Sequence, residues 1–335
     1  MTRRDQHISL AHGNGGRLMR ELIEELFAPA LANPLLDTRA DAVALPAPDD
    51  LELVVTTDGF TVQPLEFPGG NIGSLAVHGT VNDLAVSGAV PRFMTLSTFL
   101  EEGLEIALLT RVIAALAEAA RACGVAVVAG DTKVLGRGDC DGMYLAATGV
   151  GFRPRGTRLG LECVRPGDRI LVSGPVGDHG AAVLLAREEF GLRGDLRSDA
   201  ASVLPETQLL MQVPGLRFMR DPTRGGLATV THEIARATGL GVELEESTIP
   251  VNDAVQSVCE LLGFDPLYLA CEGRVLAVLA AEAAEAALAQ LRSVAPRAAL
   301  IGGLRAGPAQ VVLDTAFGGR RVLDELEDDP LPRIC

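Results

Sequence analysis

Two kinds of hydrophobic pattern alternate along the chain, and together they predict a mixed α/β protein. Short runs rich in valine, isoleucine and leucine predict strands, and amphipathic stretches predict helices. The predicted strands span residues 51–57, 125–129, 143–150, 169–173, 242–245, 275–280 and 311–314. The predicted helices span residues 17–31, 72–86, 106–123, 181–190, 224–238, 252–262 and 282–294. Segment 152–168 collects Arg, Pro and Gly with little periodicity, so we predict a domain boundary there.

Length and charge narrow the classes of function. The 335 residues suggest about two domains of roughly 150 residues each. Lys and Arg number 29 against 44 Asp and Glu, and the resulting formal charge of -15 disfavours nucleic acid and anionic lipid as partners. Apolar stretches are far shorter than the ~18 residues of a membrane span, and the N-terminus lacks the apolar region of a signal peptide. We therefore expect a cytoplasmic protein.

Three aspartates follow apolar runs beside turn-like sequence. They are Asp58 in TTDG, Asp83 in VNDLAV and Asp131 in GDTK, and we expect each to lie where a regular element ends. One such aspartate is ordinary turn chemistry. Three of them can converge on Mg²⁺ that is shared with phosphate oxygens. The GxxxxGK[ST] and GxGxxG motifs are absent, so a nucleotide would need another scaffold.

Two glycine-rich loops precede predicted helices and are candidate anion sites. One is FPGGNIG, with Gly69, Gly70 and Asn71, and the other is DPTRGGL, with Arg224 and Gly225. Free backbone amides at the positive end of a helix can meet phosphate oxygens. The alternative is a plain helix start in which glycine permits close packing.

A series of short motifs carries a resemblance to a known family. In order they are HGNGG, TTDG, FPGGNIG, GTVNDLAVSGA, EEGL, GDTKV, SGPVGDHG, DPTRGGL, HEIA, CELLG, CEG and the terminal PRIC. This series resembles the HypE family of hydrogenase-maturation carbamoyl dehydratases over nearly the whole chain. The terminal PRIC is its most specific element. Related ATP-using enzymes, namely aminoimidazole ribonucleotide synthetase, selenophosphate synthetase and thiamin monophosphate kinase, resemble the aspartate and glycine motifs but lack that tail.

The resemblance implies the two-domain PurM-like (AIR synthetase-like) α/β fold, with ATP held between the domains. It implies an N-terminal segment at 1–40, an N-terminal ATP-binding domain at 41–152, a C-terminal domain at 153–325 and a flexible tail at 326–335. The sheet of the N-terminal domain would pair with its copy in a homodimer.

The resemblance also implies a reaction. A carbamoyltransferase partner, HypF, would place a carbamoyl group on the terminal cysteine, and this chain would dehydrate it to a thiocyanate with ATP. The cyano group would pass to a HypC–HypD scaffold for the iron of [NiFe] hydrogenase. Oxide is a very poor leaving group, so the carbonyl oxygen must first be phosphorylated, which needs Mg²⁺ and electrostatic stabilisation. Bases must then take the two nitrogen protons.

The resemblance assigns magnesium and phosphate contacts to Asp58, Asp83 and Asp131. Asn82 would assist its neighbour Asp83 through a metal or phosphate contact. Asp41 corresponds to the second aspartate of the superfamily's DDA segment, whose first position is alanine here. That departure leaves the assignment of Asp41 as a ligand open.

The resemblance further assigns catalytic roles. Lys133, after the GDT turn that contains Thr132, would lie near the modified sulfur or the phosphates, the alternative being a solvated surface lysine. Glu272 is the candidate base for the carbamoyl nitrogen, the alternative being a turn carboxylate. His232, on the helix that DPTRGGL begins, would lie near the ATP or the tail, the alternative being a packing or solvent-facing histidine.

Cys335 is the candidate acceptor. The six cysteines include no CxxC pair, and five lie in apolar or mixed segments where a thiol acts as a small hydrophobe. Cys335 instead ends the proline-spaced sequence PLPRIC, which favours an extended arm that can visit a loading enzyme and return. Two alternatives stay open: a superfamily relative that phosphorylates a free small substrate, and a non-catalytic thiol carrier or scaffold.

Overall fold

The computed structural model describes residues 6–13, 17–36, 45–46, 48–187, 195–326, 331 and 334–335. They form two units. The first contains the described residues within Met1–Leu84 and Ala89–Arg155, together with Cys335. The second contains those within Ala85–Gly88 and Gly156–Ile334. No helix in these described ranges is both long enough and apolar enough to cross a lipid bilayer.

The first unit is built on a four-stranded sheet. Its helices are α1 (Arg17–Leu22), a π-helical turn (Ile23–Phe27), α2 (Ala28–Ala30), α3 (Ile72–Val86, whose last two residues belong to the second unit) and α4 (Ile106–Ala122). Its strands are β1 (Leu51–Phe60), β2 (Glu66–Phe67), β3 (Gly70–Asn71), β4 (Val90–Glu101), β5 (Ala126–Leu135) and β6 (Met143–Pro154). Strands β2 and β3 form a separate ribbon.

The four long strands are ordered β1-β6-β4-β5, and only one face of this sheet is well buried. Strand β6 pairs antiparallel with β1 and β4, and β4 pairs parallel with β5. Side chains alternate between the two faces of a strand. In β4, Leu96, Thr98 and Leu100 are buried, whereas Ser97 and Phe99 are partly exposed. We call the buried side the helix face and the other side the open face.

Glycines let α3 approach both the sheet and α4 closely. A Cβ on Gly149 of β6 would lie 2.6 Å from Thr80 Cγ2 of α3. A Cβ on Gly73 of α3 would lie 2.3 Å from the carbonyl oxygen of Val112 in α4. Helix α3 therefore covers the helix face of the sheet. It lies close enough for its polar side chains to form hydrogen bonds with those of the strands.

The second unit is built on a seven-stranded sheet ordered β13-β12-β9-β11-β7-β10-β8. Its strands are β7 (Arg169–Val172), β8 (Leu216–Arg220), β9 (Gly241–Glu245), β10 (Leu276–Leu279), β11 (Ala299–Arg305), β12 (Val311–Asp314) and β13 (Arg320–Val322). Its helices are α5 (Asp178–Ala186), α6 (Leu204–Leu210), α7 (Gly226–Thr238), α8 (Asp253–Leu262) and α9 (Ala281–Leu291). Strands β9 and β12 pair in parallel, and the other neighbours pair antiparallel.

Both faces of the central strands β7 and β10 of the seven-stranded sheet are buried. Ile170 and Val172 of β7 belong to one hydrophobic cluster together with apolar residues of α7. Leu171, between them, belongs to a second cluster together with residues of α6 and α9. A strand buried on both faces reads as a continuous apolar run, which is why β7 and β10 were predictable. The observed architecture confirms the predicted mixed α/β class.

Candidate functional site

Two of the three predicted aspartates lie on the helix face of the first unit. Asp83 of α3 accepts a hydrogen bond from the Thr56 hydroxyl of β1 at 2.7 Å. Asp58 follows two residues later on β1 and therefore projects to the same face as Thr56. Both carboxylates are partly exposed, whereas Asn82 is buried at 1% exposure. The structure thus brings together two carboxylates that water and a cation can reach.

Asp131 lies on the opposite face of the same sheet. It pairs with Ser97 of β4, whose side chain is on the open face. Its Oδ2 lies 2.8 Å from Lys133 Nζ, and both side chains are more than half exposed. The intervening Thr132 points to the helix face, where its hydroxyl oxygen lies 3.0 Å from that of Thr98. Within one chain, the structure does not bring Asp131 to Asp58 and Asp83.

The expected positions of these aspartates in their elements need correction. Strand β1 continues through Asp58 to Phe60, strand β5 continues through Asp131 to Leu135, and Asp83 lies inside α3. Sheet pairing with β6 and β4 satisfies the backbone at Asp58 and Asp131, so the adjacent glycines do not end the strands. Asp41 lies outside the described residues.

The FPGGNIG loop caps α3 with its own side chain. Asn71 Oδ1 accepts hydrogen bonds from the backbone N–H groups of Gly73 at 2.9 Å and Ser74 at 3.1 Å. The N–H of Ile72 donates to the carbonyl oxygen of Leu65. These amides of the first turn are occupied, as expected for an asparagine N-cap. The loop therefore has the geometry of the plain helix start.

Glycines in both predicted loops meet conformational or steric requirements. Gly69 adopts a φ of 101°, and a Cβ on Gly70 would lie 2.9 Å from Ser74 Oγ. Gly225, the N-cap of α7, has a φ of 70°, and a Cβ there would lie 2.0 Å from Thr229 Oγ1. Arg224 next to it is exposed. Only in this second loop does a cationic side chain at a helix start face solvent.

His232 contacts the backbone that leads into the tail. Its Nε2 lies 3.0 Å from the carbonyl oxygen of Leu323, which only accepts, so Nε2 carries the proton. Burial lowers the pKa of His232, and the contact with Leu323 partly opposes this shift. One turn later Arg236 pairs with Glu325. Helix α7 thus holds residues 323–325, the segment that leads into the tail. This contact is a positioning role, and it is compatible with the alternative of a packing histidine.

Glu272 is buried next to two carboxylates, Asp178 and Asp199, that surround Arg274. Its side chain is only 2% exposed, and its N–H donates to Asp199 Oδ1 at 3.1 Å. Arg274 Nε lies 3.5 Å from Asp199, and its Nη2 lies 3.3 Å from Asp178. Burial raises the pKa of both Asp178 and Asp199, while Arg274 opposes the rise. The second unit therefore holds Glu272 where water is largely excluded.

The terminal cysteine is buried in the first unit. Cys335 is 9% exposed, and its carbonyl oxygen accepts from the N–H of Thr61 at 3.2 Å and from its hydroxyl at 3.3 Å. Thr61 directly follows β1, three residues after Asp58. Leu331 is buried as well, at 5% exposure. In this structure the described residues of the tail are held against the protein.

Several residues that contact the predicted site residues of each unit had weak sequence signals. Asp178 lies inside the motif SGPVGDHG but received no role, and Arg274 lies one position after the motif CEG. Asp199 and Thr61 belong to no motif. Their positions depend on pairing across the fold, which a linear pattern does not reveal.

Two family models match the chain in order. Residues 39–152 match the N-terminal domain of AIR synthase related proteins, and residues 165–314 match the C-terminal domain. The fold and the site thus define a two-domain AIR synthase related protein.

Relatives that align over the full length narrow this class. The carbamoyl dehydratase HypE of Azotobacter vinelandii is 46% identical over 336 residues, covering 99% of this chain and 98% of that protein. The crystal structure of hydrogenase maturation protein HypE in complex with ATP matches with a TM-score of 0.92 at 44% identity, covering 97% of this chain and 99% of that one. The crystal structure of a HypE–HypF complex matches with a TM-score of 0.79 at 40% identity, covering 91% of this chain and 99% of that one. The chain belongs to the HypE carbamoyl dehydratase family, as the motifs indicated.

Proposed function

We propose that this chain uses ATP to remove water from a carbamoyl group on the sulfur of its own Cys335. The product is a thiocyanate that supplies the cyanide ligand of [NiFe] hydrogenase. A relative named carbamoyl dehydratase, 46% identical along 99% of the chain, supports the reaction class. The observation that carries the proposal for this chain is the buried terminal cysteine, bonded to Thr61 at the end of the strand that bears Asp58.

The chemistry balances as a phosphorylation followed by an elimination. The carbamoyl oxygen attacks the γ-phosphorus of ATP, and ADP leaves. The nitrogen then loses both protons, the carbon–oxygen bond breaks and inorganic phosphate carries the oxygen away. One S–CO–NH₂ group and one ATP give one S–C≡N group, ADP and phosphate. Electrostatic stabilisation of the transferring phosphoryl group and positioned bases are the parts that protein side chains supply.

Asp58 and Asp83 fit a magnesium ion that accompanies the nucleotide. Mg²⁺ usually takes one or two protein carboxylates and fills its other positions with water and phosphate oxygens. Two partly exposed carboxylates on one face match that donor set. The described residues contain no group of three or more His, Cys, Asp or Glu that would enclose a metal ion alone. Magnesium would neutralise phosphate charge there.

Glu272 is proposed to take a proton from the carbamoyl nitrogen. Its side chain is buried, and its N–H donates to Asp199, which in turn pairs with Arg274. These contacts support a fixed orientation. Lys133 is proposed to act near the phosphates or the sulfur, and His232 to act through the root of the tail. The remaining assignments stay predictions of nucleotide or metal contacts: Asp41, Gly69, Gly70, Asn71, Asn82, Asp131, Thr132, Arg224 and Gly225.

Three partners are proposed. A solved HypE–HypF complex similar to this chain supports a HypF-type carbamoyltransferase as the loading enzyme. A HypC–HypD scaffold as the acceptor rests on the family resemblance alone. A second copy of this chain is supported by the open face of the first unit, where Leu53 and Val55 are 60% and 56% exposed. We place the reaction in the cytoplasm, where ATP is supplied.

ATP turnover by the partner-loaded chain tests the proposal. We expect turnover to require the carbamoylated chain and to disappear in Cys335→Ala. Persistence of full turnover on a free small carbamoyl compound in that variant would instead identify a small-substrate enzyme. Glu272→Gln should retain ATP binding, measured by calorimetry, while dehydration slows. Loss of ATP binding would move Glu272 to the nucleotide site.

A further inference from the structure

A fully buried histidine in the second unit contacts the tail one residue before its end. His179 is 0% exposed and lies in the first turn of α5. Its Nε2 lies 2.7 Å from the carbonyl oxygen of Ile334, and its Nδ1 lies 2.8 Å from the hydroxyl of Ser198. Ile334 is itself 2% exposed.

The partners fix one tautomer of this ring. The carbonyl of Ile334 can only accept, so Nε2 must carry the proton. Nδ1 is then an acceptor, and the Ser198 hydroxyl donates to it. The Ser198 oxygen in turn accepts from the N–H of Ala200 at 3.0 Å. Burial lowers the pKa of His179 to about 4, so the ring is neutral near pH 7 and has a single proton to place.

We propose that His179, oriented by Ser198, is the positioning residue that sets the register of the C-terminal tail by donating to the carbonyl of Ile334. The proposal rests on the function proposed above, in which the residue after Ile334 carries the reacting group. Because the bond is made to backbone, it can form whether or not the cysteine sulfur carries a carbamoyl group.

Apolar burial alone would not set this register. Leu331 and Ile334 are 5% and 2% exposed, and such burial is favourable but has no direction. A slip of one residue would displace the end of the chain by about 3.3 Å. A hydrogen bond from a buried, orientated ring excludes the slipped registers, because a slip would leave the buried Nε2–H without its acceptor.

Release of the tail and loss of this bond are one event. A carrier cysteine has to leave to be loaded, and the His179 N–H then exchanges its protein acceptor for water. The hydrogen bond from His179 to Ile334 thus stabilises the held tail relative to the released tail. Loss of one such buried bond changes an equilibrium by about tenfold.

The test uses the full-length chain after it has been carbamoylated by its loading enzyme. His179→Leu removes the donor, His179→Gln keeps an N–H donor at a similar reach, and Ser198→Ala releases the tautomer. His78→Gln is the matched control, since the pKa of the partly buried His78 is also lowered to about 4 but the residue belongs to the first unit. Single-turnover loss of water, the KM for ATP, and amide exchange of the C-terminal peptide are measured together.

We expect His179→Leu to slow water loss about tenfold and to speed exchange of the C-terminal peptide, with an unchanged KM for ATP. His179→Gln should recover most of the lost rate, Ser198→Ala should slow water loss several-fold, and His78→Gln should match the unmodified chain.

Wild-type rates of water loss and wild-type exchange in both His179→Leu and Ser198→Ala would overturn the proposal. A uniform rise in exchange across the second unit would also overturn it. If His179→Leu does not fold, Ser198→Ala decides alone. Absence of water loss in the unmodified chain would instead refute the proposed function.

Discussion

Carboxylates occupy opposite environments in the two units of this chain. Asp58 and Asp83 in the first unit are partly exposed, and one of them is bonded to a threonine. The side chains of Asp178 and Asp199 in the second unit are 7% and 1% exposed and share Arg274. The difference shows how burial separates two uses of one residue type. Partly exposed carboxylates are accessible to a cation, whereas buried ones need a fixed partner and can orient a neighbouring residue such as Glu272.

The largest expected effect comes from removing the shared arginine. Arg274→Met leaves two buried carboxylates without their cation, and we expect it to lower the free energy of unfolding by about 3–5 kcal/mol. The control is Arg111→Met in the first unit, whose pair with Glu66 at 2.7 Å is 55% and 41% exposed. Water screens that surface pair, so we expect Arg111→Met to cost far less stability than Arg274→Met. Urea unfolding measures both variants, and equal costs would remove the contrast.

Substitution in the partly exposed pair Asp58 and Asp83 should change ATP turnover rather than the free energy of unfolding. Asp83→Asn removes a proposed magnesium ligand while keeping its size, so we expect the Mg²⁺ concentration for half-maximal ATP turnover to rise about 10–100-fold. Unfolding should change little because the side chain is partly exposed. Magnesium titration of ATP turnover checks this, with Asp50→Asn on the exposed approach to β1 as control. An unchanged midpoint would show that Asp83 holds no metal.

Acid should weaken the first unit more steeply than the second. Burial lowers the pKa of His78 from 6.5 to about 4, so the unfolded chain binds a proton that the folded chain does not. The free energy of unfolding therefore falls between pH 6.5 and about 4, by up to ~1.4 kcal/mol per pH unit. His179 and His232 do the same in the second unit, but the raised pKa values of Asp178 and Asp199 make the folded state take up protons as pH falls, which opposes them.

Peptide-resolved hydrogen exchange from pH 7 to pH 4.5 separates the two units in this test, after correction for the pH dependence of intrinsic exchange. His78→Gln should flatten the dependence in the first unit only. Equal slopes in both units of the unmodified chain would contradict the assignment.

The smallest expected effect concerns the open face. Val55→Lys places a charge on an apolar surface that a second copy would cover, and we expect the dimer dissociation constant to rise at least tenfold. The control is Val322→Lys on β13 of the second unit, which is 49% exposed in this chain. Sedimentation across a dilution series compares the two variants. A dimer that tolerates Val55→Lys would place the contact elsewhere.

Local pattern predicted much of the fold. Helix 72–86 and strand 311–314 agree with the structure at both ends because each is a largely apolar stretch bounded by polar residues or glycine. Strand β4 was missed because Thr98 interrupts its buried positions and Pro91 stands near its start. Strand β11 was missed because Gly302 and Gly303 dilute its apolar run. The predicted helix 17–31 is instead divided by a π-helical turn.

The site was less predictable because its contacts join distant segments. Thr56 is 27 residues from Asp83 and His179 is 155 residues from Ile334, and neither pair has a spacing signal. Asp131 was expected beside Asp58 and Asp83 because all three aspartates follow apolar runs next to turn-like sequence. Pairing register put it on the other face, and that register depends on partners rather than on the local sequence.

Whether the chain's own last sulfur is the reacting atom can be measured by mass. The chain is carbamoylated, mixed with magnesium and ATP, and digested so that the peptide ending in Cys335 is observed alone. We predict that this peptide, and no other, loses the mass of one water as ATP is cleaved. Cleavage of ATP with the C-terminal peptide still carbamoylated would contradict the account.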